Sequence, residues 1–426
     1  MSGILKSIII FSILTIGSCQ SIRTAGNRGK INRQIKNSEF LSKHFIGLAL
    51  FDPQSREWLF EQNANKYFTP ASNIKLFTLY AATKILKDSI PGIKYAIKGD
   101  TLMFWGTGDP TFLHEDFPDQ KSYDFLKAHD GPLVWVPVDM KSKSYGPGWS
   151  WDDYSYDYQP ERSTLPIYGN VLHVSNSLEE PIPMALSRSI LPSEELGITR
   201  DYDNNLFRIS TGDTQEAVIP FKVYPELIAA MLSDTLRRKV LIGQKLPEQK
   251  NILFSGPVDP IYSIMIKRSD NFLAEQILLM CSSLHTDSLN AENTIAYVRQ
   301  TYLSDLPDQP VWVDGSGLSR YNLVTPRTLI RLLDKLLAEK GFDWLTQIFP
   351  IGGESGTLRN WYQANETPYV FAKTGTLSNN HNVSGYLKTA SGKLLIFSFM
   401  NNNYVTTSNN IKTEIQSILE FIRDRY

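Results

Sequence analysis

The sequence predicts an α+β protein in which both ends of the chain build one antiparallel sheet flanked by helices, with β-rich sequence inserted between them. Three observations carry this. Residues 45–50 and 57–60 are β-like on either side of Asp52-Pro53-Gln54-Ser55, whose residue types favour a tight turn. Residues 383–388 and 393–400 form a second such pair across 389–392, and Ile411, Ile415, Ile418, Leu419 and Ile422 follow at helical spacing. From about residue 89 to 255 the texture changes to short β-like runs broken by Gly, Pro and Asp, as expected of inserted sequence.

Taken in order, the chain begins with Lys6 and an apolar run over residues 8–16, too short to span a bilayer and bounded by Gly17 and Ser18 before Cys19. Residues 1–19 thus read as a signal peptide, and Ile16-Gly17-Ser18-Cys19 resembles a bacterial lipobox, which would make Cys19 a lipidated residue anchoring the protein to a membrane. A plain secretory cleavage site is the alternative. Residues 20–37 are polar and rich in Arg, Asn and Lys, and are expected to be a tether. The sheet-and-helix portion then covers residues 38–88 and 256–426, and the inserted β-rich domain or domains cover 89–255, with 175–221 a candidate subdomain.

Within the insert, residues 95–97, 102–105, 133–138, 170–174 and 206–210 read as strands and 224–239 as a helix. After it, residues 259–284, 290–301 and 326–339 are helical in pattern, and 314–320 and 352–358 are constrained loops rich in Gly and Ser. Cys281, the only cysteine besides Cys19, falls in an apolar helical run and is expected to be a buried small hydrophobe.

Composition excludes several classes. A chain of 426 residues with 42% hydrophobic residues supports two or three packed domains, and 43 basic against 44 acidic residues gives no reason to expect nucleic acid as a partner. Aromatics at 12% suit packed sheets and a carbohydrate- or peptide-lined cleft. The six histidines show neither H-E-x-x-H nor close pairing, so no metal site is expected, and no phosphate loop is visible. Gly353-Glu354-Ser355-Gly356-Thr357 lacks the last glycine of a nucleophile elbow.

What remains is a serine with a lysine base. If Ser72 opens a helix, Lys75 lies one turn later on the same face, within reach of its hydroxyl. Such a pair alone is common by chance. Two further triplets, Ser269-Asp270-Asn271 and Lys373-Thr374-Gly375, follow it in order, and S-x-x-K, S-D-N and K-T-G together are the set of penicillin-binding proteins and class A β-lactamases.

Each residue type suits a step. Ser72 attacks a carbonyl carbon and is acylated. Lys75 acts as base once burial and a second cation, Lys373, lower its pKa. Ser269 passes the proton to the leaving amine, and the Asn271 amide holds the substrate backbone. Lys373, Thr374 and Thr376 bind a substrate carboxylate, and Gly375 leaves room for close backbone approach. Backbone N–H groups of Ser72 and Thr376 are the expected oxyanion hole.

With Gly108-Asp109-Pro110, Gly146-Pro147-Gly148-Trp149, the run from Asp314 to Pro326 and Gly356-Thr357-Leu358-Arg359 added, nearly the whole mature chain resembles the D-alanyl-D-alanine carboxypeptidases/endopeptidases of the low-molecular-mass class C penicillin-binding proteins. The resemblance implies a penicillin-binding-protein/β-lactamase-like transpeptidase core interrupted between the first and second motifs. It implies peptidoglycan stem peptides as substrates, β-lactams as covalent inhibitors, no cofactor, and a periplasmic, envelope location. Two alternatives stay open here: a β-lactamase or esterase on the same fold, and a non-catalytic cell-wall-binding or β-lactam-sensing module.

Overall fold

The computed structural model describes residues 25–174, 181–194, 197–210, 216–364 and 367–426. The expected signal peptide and Cys19 lie outside the described residues, as do 175–180, 195–196 and 211–215 of the candidate subdomain. Among the described residues no helix is long and apolar enough to cross a membrane. The chain divides into two compact units, the first comprising the described residues up to Asn73 with Leu306–Pro310 and Leu323–Tyr426, the second Ile74–Asp305 with Val311–Asn322.

The first unit is built on a five-stranded antiparallel sheet. Its strands run, in spatial order, Val370–Leu377, Asn380–Lys388, Leu394–Asn402, Phe45–Asp52 and Glu57–Gln62. The expected sharing of one sheet by both chain ends is therefore observed, with Leu48 opposite Phe399 and Leu50 opposite Phe397. Leu48, Leu50, Val383, Phe397 and Phe399 bury against Ile411, Ile415, Ile418, Leu419 and Ile422 of the Ser408–Arg425 helix. The Pro326–Lys340 helix also packs on the sheet, where the Tyr386 hydroxyl donates to the Leu333 carbonyl at 2.8 Å.

Of the expected tether, residues 20–24 lie outside the described residues, and the rest is not extended chain. Residues 25–37 are helical, and Ile31 and Ile35, one turn apart, are buried in the same core as Ile415 and Phe399. Asn27 Nδ2 donates to the Arg425 carbonyl at 3.1 Å, and Arg28 Nε to the Leu59 carbonyl at 2.6 Å. Two apolar residues at i and i+4 suffice to dock a helix whose other faces stay in water.

The second unit joins a mixed five-stranded sheet to a group of helices. The sheet order is Val240–Ile242, Leu133–Trp135, Thr101–Gly106, Ser89–Lys98 and Asn251–Pro257. Its first and last strands in the chain pair antiparallel, so the inserted sequence leaves beside the point where it enters. Among the described residues of the insert the longest helix spans Pro225–Leu236. Residues of the candidate subdomain form a small sheet of Ile190–Ser193, Phe207–Ser210 and Ile198–Arg200. Among the described residues they form no separate core: Leu186, Phe207, Ile219 and Phe221 bury in one cluster with Ile93, Leu102 and Phe104.

Helices Lys75–Ile85, Asp259–Lys267, Asn271–His285 and Ala291–Thr301 complete this unit, and Cys281 is fully buried among them. The helical pattern over 259–284 is thus two helices and not one. The break falls at Ser269, with φ 64°, and the Asp270 side chain caps the second helix by accepting from the Leu273 N–H at 2.8 Å. A side chain that offers the backbone an acceptor favours a fresh helix start over continuation.

Candidate active site

In the first unit Ser72 sits in a 3-10 turn, Ala71–Ile74, and the α-helix begins directly after it at Lys75. Ser72 therefore does not itself open the α-helix; Ile74 holds the cap position without a side-chain bond. The spacing of three residues within a continuous helical turn is kept. Thr69 fixes the approach to this turn, its N–H donating to Asn402 Oδ1 at 2.7 Å and its carbonyl accepting from Asn382 Nδ2 at 3.0 Å.

The K-T-G strand runs against the same turn. A Cβ placed on Gly375 would lie 2.4 Å from the Pro70 carbonyl oxygen and 2.8 Å from Asn73 Nδ2, so no other residue permits this approach. Lys373 is fully buried and donates to the Thr374 carbonyl at 2.7 Å. The Thr374 hydroxyl donates to that of Thr357 at 2.8 Å, and the Thr376 hydroxyl lies 2.8 Å from His381 Nδ1. In this unit Gly375 of the K-T-G strand thus lies against Pro70 and Asn73, the residues on either side of the Ala71-Ser72 pair.

In the second unit the buried Lys75 Nζ donates to Asn271 Oδ1 at 2.6 Å and to the Ser316 carbonyl at 2.7 Å. Burial lowers its pKa from 10.5 to about 8, against the opposing pull of the Asp270, Asp314 and Glu275 carboxylates. Asn271 turns its amide NH2 to the Tyr158 carbonyl at 3.0 Å, so both ends of that amide are engaged. Ser269, two residues before it, holds a left-handed backbone conformation that non-glycine residues rarely adopt and that concentrates at functional sites.

The Ser316 carbonyl is a contact the sequence did not disclose. Asp314 ties its loop together, accepting from the N–H groups of Gly317 at 2.9 Å and Ser319 at 2.7 Å, from Asn322 Nδ2 at 2.7 Å and from Trp149 Nε1 at 2.9 Å. The Ser316 N–H donates to Glu275 Oε1 at 2.7 Å, and with the amide fixed on that side its carbonyl is held toward Lys75. The loop's Gly and Ser content was the available signal, but it marks a bend and not the direction of a carbonyl. Asp109 likewise has an internal use: buried, it accepts from the Thr111 N–H at 2.9 Å and the Ser255 hydroxyl at 2.8 Å, which holds the Gly108–Thr111 bend to the last strand of the insert.

A buried amine whose pKa burial brings down to about 8 can act as a proton acceptor.

The profile described as the D-Ala-D-Ala carboxypeptidase 3 (S13) family matches residues 27–184 and 198–425. The D-alanyl-D-alanine carboxypeptidase DacB of Haemophilus influenzae is 23% identical over 444 residues, 89% of this chain and 90% of that protein. A D-alanyl-D-alanine carboxypeptidase of Actinomadura is 25% identical over 84% of this chain and 78% of its own. In fold, the chain is similar to the crystal structure of penicillin binding protein 4 from Haemophilus influenzae, with TM-score 0.72 at 21% identity over 93% of this chain and 98% of that one. It is also similar to a predatory endopeptidase from Bdellovibrio bacteriovorus, with TM-score 0.51 at 17% identity over 89% and 92%.

Proposed function

The chain belongs to the D-Ala-D-Ala carboxypeptidase 3 (S13) family, and from that premise we propose how it works as a serine-type D-Ala-D-Ala carboxypeptidase on peptidoglycan stem peptides. Ser72 is the nucleophile and is acylated by the penultimate D-alanine carbonyl, releasing the terminal D-alanine. Lys75 takes the serine proton. Ser269 returns a proton to the leaving amine, Asn271 orients Lys75 and the peptide, and Lys373 with Thr374, Gly375 and Thr376 receives the terminal carboxylate. The N–H groups of Ser72 and Thr376 stabilise the oxyanion. Residues 38–88 and 256–426 supply this machinery, with 89–255 as the insert.

The observation that carries the reading is the buried Lys75 amine, held between Asn271 Oδ1 and the Ser316 carbonyl with its pKa at about 8. A non-catalytic module has no use for a base kept that close to neutrality. β-Lactams resemble the scissile dipeptide and acylate Ser72 in its place; the Haemophilus influenzae protein of this fold has been crystallised with one. The same acyl-enzyme can form from a D-Ala cross-link, and a Bdellovibrio neighbour is named an endopeptidase, so dimeric muropeptides are the second substrate to offer.

The protein works in the cell envelope, where this substrate is. Residues 1–19 deliver it there and Cys19 carries the lipid; a Cys19→Ala chain found in the soluble envelope fraction, with the native chain in the membrane fraction, checks this, and equal partition discards it.

Mass spectrometry of purified muropeptides after incubation tests the activity. Loss of one alanine is the expected product, conversion of dimers to monomers the endopeptidase one. Rapid release of labelled penicillin would make the chain a β-lactamase instead. D-Alanine release that survives Ser72→Ala discards the assignment of the nucleophile.

A further inference from the structure

One histidine beside the K-T-G strand has no part in the reading above. His381 stands directly opposite Thr376 across the pairing of Val370–Leu377 with Asn380–Lys388. It is 1% exposed, its Nδ1 lies 2.8 Å from the Thr376 hydroxyl, and its Nε2 is buried without a hydrogen-bond partner. Burial, with the charges of Lys412 and Lys373 nearby, holds its pKa down to about 3, so the ring is neutral and carries one N–H.

Where that hydrogen sits decides what Thr376 can offer. On Nε2 it would be a donor sealed from water with nothing to accept it. On Nδ1 it leaves only a lone pair unmatched, and buried orphan donors are the rarer of the two. Nδ1 therefore donates to Thr376 Oγ1. A hydroxyl already accepting on its buried side turns its own hydrogen outward, and Thr376 is exposed.

We propose that His381 is a positioning residue that fixes the Thr376 hydroxyl as a hydrogen-bond donor toward the terminal carboxylate of the substrate. This rests on Thr376 being a substrate-binding residue. A carboxylate can only accept, so a hydroxyl free to rotate presents its lone pairs for part of the time and binds it less well.

The test uses the full chain and two peptides, one ending in D-Ala-D-Ala with a free carboxylate and the other its C-terminal amide. His381→Phe is expected to raise KM for the acid about fivefold with kcat little changed, and to leave the amide unaffected. His381→Asn, which keeps a donor near the Nδ1 position, should recover most of the loss. Thr376→Val should lose the same preference for the acid, and His381→Phe in that background should add nothing. Equal losses on acid and amide, or an unchanged KM for the acid in His381→Phe while Thr376→Val loses it, overturn the role of His381. A preference for the acid that survives Thr376→Val overturns the reading of Thr376 on which that role rests. Nitrogen NMR of the ring is independent of turnover and of the variants: a hydrogen on Nδ1 is expected, and one on Nε2 sinks the proposal.

Discussion

Lys75 Nζ lies 2.6 Å from Asn271 Oδ1, which joins the first sequence motif to the second inside one unit of the fold. The amine is fully buried, and its pKa of about 8 against 10.5 corresponds to roughly 3 kcal/mol in favour of the neutral form. Acylation of Ser72 by penicillin should therefore accelerate as pH rises, with a midpoint near 8, and level off above it. The stability sign follows from proton counts. Between about 8 and 10.5 the unfolded chain holds a proton that the folded chain has released, so raising the pH through this window stabilises the fold; below 8 both states are protonated and the full penalty of a buried charge remains. Lys75→Met should abolish acylation and be at least as stable as the native chain at pH 7, as measured by denaturant unfolding. A normal acylation rate in that variant would remove Lys75 from the mechanism.

Asn271→Ala takes the acceptor from Lys75 and the donor from the Tyr158 carbonyl together. Each lost bond of this kind costs about 1–3 kcal/mol. We expect acylation to slow by one to two orders of magnitude on that basis, with a modest fall in Tm; stopped-flow penicillin binding measures the first and calorimetry the second. Acylation at the native rate would leave Asn271 with a structural use only.

Gly375→Ala puts a methyl group 2.4 Å from the Pro70 carbonyl oxygen and 2.8 Å from Asn73 Nδ2. Both neighbours flank Ser72, so the strand or the turn must shift. Misplacement on the order of 1 Å costs about a hundredfold in rate, and overpacking of this kind about 1–3 kcal/mol in stability. The expected result is a folded variant with strongly reduced penicillin acylation. A variant as reactive as the native chain would show that the approach is not required.

How far the sequence carried this differs from element to element. The two hairpins and the last helix were legible because alternation and helical spacing survive in the residues themselves, as in Ile411, Ile415, Ile418 and Ile422. The three motifs stood out in the sequence because all of them, in that order, are rarely met by chance. The Ser316 carbonyl was not, since every residue has one and only the fold aims it. The break at Ser269 was hidden because the apolar pattern runs through it from Ile261 to Leu284, while a backbone with φ 64° leaves no trace in composition. Ser72 was expected to open the helix, but the chain enters through a 3-10 turn, with the Asn73 N–H donating to the Pro70 carbonyl at 3.3 Å.

Asp314 offers a test of the loop that presents that carbonyl. Four donors converge on its buried carboxylate, from Gly317, Ser319, Asn322 and Trp149. Asp314→Ala leaves all four without their acceptor, at about 1–3 kcal/mol for each group that water cannot reach. Several kcal/mol of stability and most of the acylation rate should be lost. Asp314→Asn keeps the acceptor oxygen for some of these donors and should fall between the two, so the order native, Asn, Ala in both Tm and acylation rate is the expected series. Acylation unaffected by Asp314→Ala would detach the Ser316 carbonyl from the chemistry.

The helix at residues 25–37 distinguishes a docked element from a tether by stability alone. Ile31 is 0% and Ile35 5% exposed, and both bury in the core formed by the sheet and the Ser408–Arg425 helix. Truncating either to alanine should cost about 2–5 kcal/mol, whereas the same change in a tether costs nothing measurable. Because the two side chains share one patch of core, the double variant should lose less than the sum of the single losses. The helix carries no proposed catalytic group, so acylation of Ser72 at low temperature should stay near native while Tm drops. Denaturant unfolding of Ile31→Ala, Ile35→Ala and the pair, with penicillin labelling alongside, makes the comparison; unchanged midpoints in all three would return these residues to solvent and the segment to a linker.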